Sequence, residues 1–340
     1  MKILYGVQAT GNGHIARSRI MAKQLKENGV EVTFLFSGRP KDKLFDMEIF
    51  GDFIYKQGLT FIVQNGKVNY LATAFNNNFL RFIYDAHTLA IDDYDLIITD
   101  FEPVTAWAAK LKKKPVLGIG HQYAFGHNTP RAGKSLLAEF VMNYFAPAKD
   151  SIGLHWAPFE QSILPPIIDV GLTGKMDEDV VLVYLPFENQ SKVTTLLQQF
   201  PSKHFIQYSP DVNNTEDKNV SIRATCYAGF KQDLCRASAV ISNSGFELIS
   251  ECLHLGLPLL VKPLQGQMEQ ESNALALHDL KFAEVMRTLD EDIVADWLEK
   301  CKPRINKKTP DVAFEIVKWL LSEQRLPIDK VAASLWQQYE

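Results

Sequence analysis

Cysteine is scarce in this chain, with four residues among 340. Cys226, Cys235, Cys252 and Cys301 show neither CxxC spacing nor histidine partners at the intervals of zinc sites. A disulfide framework and a structural zinc site are therefore not expected. The thiols instead fit a reducing compartment.

Long apolar runs and a strong excess of one charge are also missing. No run approaches the roughly 20 residues that cross a bilayer. The chain begins directly with a strand pattern, without the layout of a signal peptide. A net charge of −4 offers no field that would hold a polyanion. We therefore expect a soluble, cytoplasmic protein that does not bind nucleic acid.

Short apolar runs alternate with amphipathic stretches from end to end, which is typical of βα units and parallel sheets. Strands are predicted at 3–7, 32–36, 53–55, 96–99, 116–120 and 152–155, and then at 180–185, 205–207, 220–223, 239–242 and 258–261. Helices are predicted at 15–28, 75–91, 103–112 and 133–145, and then at 189–199, 230–236, 245–256, 268–279, 291–300, 311–323 and 328–340.

The alternation breaks at 163–178, where paired prolines are followed by glycines and acidic residues, a composition typical of linkers. The predicted fold class is α/β, with two Rossmann-like, doubly wound domains facing across a cleft. We assign 1–165 to the first domain, 176–323 to the second, and 324–340 to a C-terminal helix that could pack back on the first. Ligands in such sheets bind at the carboxyl ends of the strands.

The first predicted strand runs into a loop that contains Gly11, Gly13 and His14. Glycines let the backbone turn tightly and approach a ligand, and the following helix points free N–H groups at it. Ala16 stands where a dinucleotide fingerprint has its third glycine. The loop is therefore a poor match to a nicotinamide-cofactor site, although that alternative stays open.

His14 follows the first strand, where a neutral imidazole facing the crevice can accept a proton. A general base needs an acid on its other ring nitrogen. Asp100 supplies one, because it ends a buried strand at the same edge of the sheet. Two plainer interpretations stay open: His14 bonds a nearby backbone group, and Asp100 caps the helix that begins near Pro103.

A segment in the second half of the chain is more specific. Ser244 and Gly245 open a helix whose unpaired N–H groups and positive dipole suit a diphosphate. Glu251 lies two turns later on the same face, about 10 Å away, within reach of a ribose. Alternatively, Ser244 only caps the helix and Glu251 is solvated. Glu269 and Gln270 on the next loop offer the acceptors and donors that a sugar requires.

These motifs together resemble nucleotide-diphospho-sugar glycosyltransferases of the GT-B fold. The pattern is GxGH after the first strand, then SGxxxxxE, then PxxxxxxQxxNA. It is similar to the N-acetylglucosaminyltransferase that completes lipid II and to plant and animal UDP-glycosyltransferases. Residues 11–18, GNGHIARS, also resemble a prokaryotic glycosyltransferase group with the motif GxGHxxRS.

The resemblance implies roles for residues of the first domain. His14 matches the catalytic base, and Asp100 matches the acid that orients it. His121 and Gln122 resemble the acceptor-side motif of the lipid II enzyme. Gly13 matches the glycine of the loop that approaches the donor diphosphate.

The resemblance also implies roles on the donor side. Expected contacts are Ser244 and Gly245 with the diphosphate, Glu251 with the ribose, Glu269 and Gln270 with the donor sugar, and Tyr227 and Phe230 with the base. Asn243 departs from the pattern, because relatives have Arg or His before the diphosphate turn.

The function that the resemblance implies is an inverting transfer of a sugar from a nucleoside-diphosphate sugar, with UDP expected, to a hydroxyl acceptor. A lipid or a cell-envelope glycan precursor is the acceptor class it suggests. No cofactor and no metal are expected, since the helix N-terminus carries the charge of the leaving group. The DxD string of Asp93 and Asp95 precedes its strand and is interpreted as a solvated loop.

Other functions stay open. A UDP-sugar hydrolase of the pseudaminic acid type also carries GxGHxxR and uses its histidine to activate water. A sugar-nucleotide 2-epimerase shares the scaffold, and a non-catalytic sugar-nucleotide binding protein would share the donor motifs without needing His14 and Asp100. The aromatic-rich stretches 71–84 and 135–145 are interpreted as core faces of helices, or alternatively as an apolar surface that meets the membrane. The sequence does not indicate an oligomeric state.

Overall fold

A computed structural model describes residues 1–64, 66–126, 128–132, 136–174, 176–210, 212–303 and 308–339. Two sheets, of six and seven strands, are covered by helices on both faces. Apart from one antiparallel edge strand in the second sheet, all neighbouring strands of both sheets run parallel. The predicted α/β class with two Rossmann-like domains is confirmed.

The first sheet has the order β3-β2-β1-β6-β7-β8, and β4 and β5 form a separate antiparallel hairpin. Its strands and the hairpin are β1 (Lys2–Gln8), β2 (Glu31–Ser37), β3 (Ile54–Tyr55), β4 (Val63–Gln64), β5 (Lys67–Val68), β6 (Leu96–Asp100), β7 (Val116–Gly120) and β8 (Asp150–Gly153). Its helices are α1 (Asn12–Glu27), α2 (Tyr70–Asn76), α3 (Phe79–Thr88), α4 (Pro103–Leu111) and α5 (Leu136–Tyr144).

The second sheet has the order β11-β12-β10-β9-β13-β14-β15. Its strands are β9 (Val180–Tyr184), β10 (His204–Ser209), β11 (Thr215–Asp217), β12 (Val220–Ala224), β13 (Ala239–Asn243), β14 (Leu259–Lys262) and β15 (Glu284–Val285). The helices of this half are α6 (Gln190–Leu197), α7 (Tyr227–Arg236), α8 (Phe246–His254), α9 (Met268–Asp279), α10 (Glu291–Lys300), α11 (Val312–Leu321) and α12 (Ile328–Gln338).

The largest differences from the predicted elements lie in the first domain. The helix predicted over 75–91 is two helices, α2 and α3, because Asn78 caps a new helix by accepting a hydrogen bond from Arg81 N. The strand predicted at 152–155 is β8, which begins and ends two residues earlier. The short strands β4, β5, β11 and β15 were not predicted, since two or three residues carry too little periodicity.

The interpretation of 71–84 and 135–145 as core faces is wrong for several side chains. Phe75 and Leu80 are 87% and 81% exposed. The other exposed large apolar side chains of α3 and α5 are Phe79, Ile83, Tyr84, Phe140 and Tyr144. Helix α3 packs against α4, and Trp107 Nε1 of α4 donates to Tyr144 O at 3.1 Å. These exposed side chains therefore lie on adjoining helices of one domain.

The two domains share one buried apolar cluster that includes side chains of α1, α8 and α11. Trp156 after β8 is buried, and its Nε1 donates to Ser250 Oγ of α8 at 2.8 Å. From α12, Trp336 Nε1 donates to Ile163 O at 2.7 Å, so the C-terminal helix contacts the first domain. The exact domain boundaries stay a prediction. Within the described part of the chain, no helix is long and apolar enough to span a bilayer.

Gly6 of β1 is required by the close approach of α4. A Cβ at this position would collide with Thr105 Oγ1 and lie 2.8 Å from Glu102 Oε2, both of which are buried. We expect Gly6→Ala to lower the free energy of unfolding by about 1–3 kcal/mol, as overpacking does. Gly11→Ala is the matched control, because an added methyl there meets no described atom within 4 Å. Equal unfolding midpoints in urea for the two variants would contradict this expectation.

Candidate active site

His14 lies in the first turn of α1, directly after the carboxyl end of β1. Gly11 is the N-cap of this helix with an extended backbone (φ −111°), and as a glycine it has no side chain with which to cap. The first turn of α1, which carries His14, therefore has no side-chain cap on its N–H groups.

His14 is paired with Asp100, as the positions of the two strands predicted. Asp100 ends β6 beside Val7 of β1, and its Oδ1 lies 2.8 Å from His14 Nδ1. Asp100 is buried, and the side chain of His14 is 16% exposed. The alternative role of Asp100 as a helix cap is wrong, because Glu102 caps α4 by accepting from Val104 N and Thr105 N. With Nδ1 bound to Asp100, Nε2 is the ring nitrogen left for a substrate, and in the structure it lies 3.5 Å from Gln122 Nε2.

Arg17, one turn after His14, completes a buried charge network that the sequence analysis missed. Its Nη2 and Nε donate to Asp100 at 2.6 and 3.0 Å. Its Nη1 donates to Glu247 in the first turn of α8. The spacing of His14 and Arg17 by three residues, which places them on one helix face, was a signal that could have identified Arg17. One guanidinium thus joins the His14–Asp100 pair to the second domain.

The charge state of Asp100 follows from this network. Burial alone raises the pKa of Asp100, but the charges of Arg17 and then His14 outweigh burial and hold the pKa below its ordinary value. Because its pKa is lower in the folded state, Asp100 stabilises the protein at pH values above its unfolded-state pKa, which is about 4. That contribution is lost as the pH falls from there through the lower folded-state pKa. At neutral pH Asp100 is therefore a carboxylate.

The predicted diphosphate turn lies between β13 and α8. Ser244 Oγ donates to Gln270 O at 2.7 Å, and Asn273 Nδ2 donates to Ser244 O at 2.9 Å. Ser244 therefore does not cap α8, contrary to the alternative considered for it; Gly245 occupies the N-cap position. A Cβ on Gly245 would meet no described atom within 4 Å. The N–H groups of the first turn of α8 are consequently approachable, and the diphosphate role stays a prediction.

Gly13 faces the same helix from the other domain. A Cβ on Gly13 would lie 3.2 Å from Glu247 Cγ, which is a tight contact. The first turn of α1, which carries His14, therefore packs closely on the first turn of α8.

Glu251 is buried two turns along α8 and is paired with Lys231 of α7. The alternative of a solvated carboxylate is therefore wrong, whereas the ribose role stays a prediction. Tyr227, at the start of α7, has the Lys231 Nζ 5.5 Å and the Arg19 guanidinium carbon 4.7 Å from its ring centroid. Its backbone N–H donates to Asp46 Oδ2 at 2.7 Å. The predicted ribose and base residues thus lie together, beside charges of both domains.

Phe230, the second predicted base residue, packs against two tyrosines. Its ring centroid lies 5.3 Å from that of Tyr184 and 5.0 Å from that of Tyr208. The Tyr184 hydroxyl accepts from Asn12 Nδ2 at 3.0 Å, and Asn12 Oδ1 accepts from Arg39 at 2.8 Å. Residues of the glycine loop therefore contact the second domain on this side as well.

Gln122 brings the acceptor-side and donor-sugar predictions together at His14. Its Nε2 donates to Glu269 Oε2 at 2.9 Å and lies 3.5 Å from His14 Nε2. Gln270 has a different contact, because its Oε1 accepts from Leu264 N at 2.9 Å and so supports the loop. His14, Gln122 and Glu269 thus form one cluster, while Gln270 lies beside it in a supporting contact.

His121 is buried at the domain interface. Its ring nitrogens lie 2.9 Å from Leu154 O and 2.7 Å from Asn273 Oδ1, and its ring stacks on Phe246 with centroids 4.0 Å apart. Burial lowers the pKa of His121. These contacts make His121 part of the interface beneath the site, next to Gln122.

Among the described residues, no three histidine, cysteine, aspartate or glutamate side chains are grouped as metal ligands. In the DxD string, Asp95 Oδ2 accepts from Lys2 N at 2.7 Å. Metal independence stays a prediction.

Comparisons with known proteins agree with this architecture. A sequence model of the family described as glycosyl transferase family 1 matches residues 1–302. No match is found among curated protein sequences.

Three solved structures illustrate the similarity. SnogD from Streptomyces nogalater has 17% identity over 99% of both chains and a TM-score of 0.53. MurG from Acinetobacter baumannii has 14% identity over 100% of this chain and 95% of its own, with a TM-score of 0.51. SsfS6 from Streptomyces sp. SF2575, complexed with thymidine diphosphate, has 11% identity over 100% and 96%, with a TM-score of 0.54. At these identities the likeness shows the fold, and the predicted GT-B arrangement is confirmed.

Proposed function

Because the chain belongs to glycosyl transferase family 1, and is therefore a glycosyltransferase, we propose an inverting, metal-independent transfer from a nucleoside-diphosphate sugar to a hydroxyl acceptor. The observation that carries this proposal is the 2.8 Å contact between His14 Nδ1 and Asp100 Oδ1 at the face between the domains. A histidine held in this way has one nitrogen free to take a proton.

In the proposed reaction, His14 Nε2 removes the proton of the acceptor hydroxyl as its oxygen attacks the anomeric carbon. The bond between that carbon and the diphosphate oxygen breaks in the same displacement, so the configuration inverts. Asp100 holds the Nδ1–H tautomer and stabilises the imidazolium that forms. Arg17 fixes Asp100 in turn through two hydrogen bonds.

The leaving nucleoside diphosphate is assigned to the N-terminus of α8. Its free N–H groups and positive dipole stabilise the developing charge on the diphosphate without a cation. We assign the ribose to Glu251 and the base to Tyr227 and Phe230, with UDP as the nucleotide. Thymidine diphosphate in a protein of the same fold supports a nucleoside diphosphate in general.

Gln122 contacts the proposed base on the nitrogen that would take the proton. Its amide nitrogen lies between His14 Nε2 and Glu269 Oε2, so an acceptor hydroxyl must replace it beside the imidazole. A sugar hydroxyl that binds Glu269 would compete for the same carboxylate. Donor binding therefore loosens Gln122 and makes His14 accessible to the acceptor.

The proposal is tested by a screen of nucleotide sugars with and without candidate acceptors. UDP at a hundredfold excess over Kd should stabilise the protein by about 2.7 kcal/mol, and turnover should persist in EDTA. NMR of the product should show the anomeric configuration opposite to that of the donor. Absence of stabilisation by UDP, ADP, GDP and dTDP alike would refute the donor site. Rapid release of free sugar without an acceptor would instead identify the hydrolase.

We further propose that the acceptor is lipid-linked and is met at the cytoplasmic face of a membrane. The exposed apolar side chains of α2, α3 and α5 support this assignment, because such patches are typical of binding surfaces. Lys110 of the adjoining α4 adds a positive charge beside Trp107, which suits anionic headgroups.

A double variant tests this surface. Phe75→Ser with Leu80→Ser should reduce co-sedimentation with anionic phospholipid vesicles several-fold, because both side chains are solvent-exposed and available to lipid. The unfolding midpoint should stay unchanged for the same reason. The control is Phe314→Ser on α11, a large apolar side chain exposed elsewhere. Equal vesicle binding by wild type and the double variant would remove the membrane assignment.

A further inference from the structure

A polar cavity of about 530 Å³ lies where β9, β14 and β15 end. Glu188 and Lys192 follow β9, Lys262 ends β14, and Arg287 follows β15. Carboxyl ends of parallel strands are where α/β domains bind ligands. None of the roles assigned above uses this cavity.

The charges of the cavity wall do not balance. Lys67, Lys192, Lys262 and Arg287 face one carboxylate, Glu188. Lys262 is 5% exposed and donates to Glu188 Oε1 at 2.7 Å, so these two charges cancel. Within the described residues, the other three cations have no carboxylate within 4.0 Å. The cavity therefore carries a surplus of positive charge.

The cavity is built from both domains and its wall is fixed by backbone hydrogen bonds. From the β4–β5 hairpin, Gly66 N donates to Phe187 O at 2.7 Å. Gln265 N donates to Gly66 O at 2.9 Å, and Val68 N donates to Gln265 O at 3.2 Å. Gly66 has φ +73°, and a Cβ there would lie 2.6 Å from Glu188 Oε1. The positive φ favours glycine at this turn, and the three backbone hydrogen bonds hold the hairpin, and with it the backbone of Lys67, against the second domain.

We propose that this cavity binds an anionic group, a carboxylate or a phosphate, carried by a substrate. Lysine and arginine side chains form charge-assisted hydrogen bonds with such groups. Gln265, in its wall, lies four residues before Glu269, the residue assigned to the donor sugar. The substrate class is therefore an acidic sugar nucleotide or an acidic acceptor. This last assignment rests on the proposed function, whereas the anion site itself does not.

The probe is inorganic phosphate, titrated calorimetrically into the whole protein with and without saturating UDP. UDP occupies the site at α8, so phosphate bound in its presence reports the cavity. Lys192→Gln and Arg287→Gln should each weaken phosphate binding about tenfold, the loss of one charge-assisted hydrogen bond. Lys318→Gln, an exposed lysine of α11, is the control and should leave phosphate affinity unchanged. Unchanged unfolding midpoints would confirm that the variants fold.

A second arm separates the sources of the anion. UDP-glucuronic acid and UDP-glucose differ in one carboxylate. If wild type binds the acid more tightly than UDP-glucose, and Arg287→Gln abolishes this difference, the anion belongs to the donor sugar. Equal binding of the two, with phosphate still bound in the cavity, places it on the acceptor. Phosphate affinity that is the same in wild type, Lys192→Gln and Arg287→Gln, or no phosphate binding by wild type, overturns the proposal. Failure of UDP to bind refutes the donor assignment alone, because a loss of phosphate affinity in Lys192→Gln and Arg287→Gln still reports the cavity.

Discussion

Replacing His14 with alanine should lower turnover by roughly 10²- to 10⁴-fold, which is the usual contribution of a positioned general base. Donor affinity should remain nearly unchanged, because the diphosphate is assigned to α8 and not to the imidazole. Steady-state kinetics would thus show a fall in kcat with little change in KM for the donor. Such a split identifies an interaction made in the transition state.

Two further variants set the scale for His14→Ala. Asp100→Asn should show a smaller loss of the same kind, because it removes orientation and charge stabilisation while leaving the imidazole. His278→Ala, an exposed histidine of α9, should turn over like wild type. Normal turnover by His14→Ala would show that the histidine is only a loop residue and would remove the catalytic assignment in the first domain.

Replacing Arg17 with methionine should lower the free energy of unfolding by about 3–5 kcal/mol, the cost of breaking a buried ion pair. Methionine keeps much of the side-chain volume but leaves Glu247 buried without its cation and leaves Asp100 with His14 alone. Urea denaturation, with the m-value compared between variants, measures this loss.

A double variant separates charge from packing at Arg17. Arg17→Met with Glu247→Leu also removes the Glu247 carboxylate that lost its cation, and should recover part of the lost stability. Lys231→Met, which removes the partner of Glu251 in another largely buried pair, serves as a comparison of the same chemistry. A loss below about 1 kcal/mol for Arg17→Met, as exposed pairs give, would show that water compensates the carboxylates and that the network is open.

The sequence was sufficient for the architecture and for the pairing of His14 with Asp100. Alternating periodicities separate strands from helices, and two neighbouring parallel strands bring their carboxyl ends to one edge. The sequence could not predict contacts that depend on how the two domains pack against each other. Arg17 meets Glu247 across the interface, and a spacing within one helix does not specify a partner 230 residues away.

The sequence also did not predict the contacts of several side chains. Ser244 and Gln270 read as ligand-binding residues, yet each makes a hydrogen bond that supports the turn or loop around it. The apolar pattern of α3 predicted a core face, but of its large apolar side chains only Phe82 packs against the core, and the other four are exposed. Composition fixes how apolar a helix is, whereas its orientation follows from the neighbours against which it packs.

The contact of Trp336 with Ile163 constrains how the cleft can widen. The chain passes from the first domain to the second between β8 and β9, and α12 then returns to the first domain. Because two chain segments connect the two domains, neither domain can twist freely about one of these segments. We therefore expect any relative rotation to follow an axis that runs close to both segments, with a few residues of each absorbing the change in backbone angles. On that geometry, the cleft would open to substrates and products on the side of the molecule farthest from the axis.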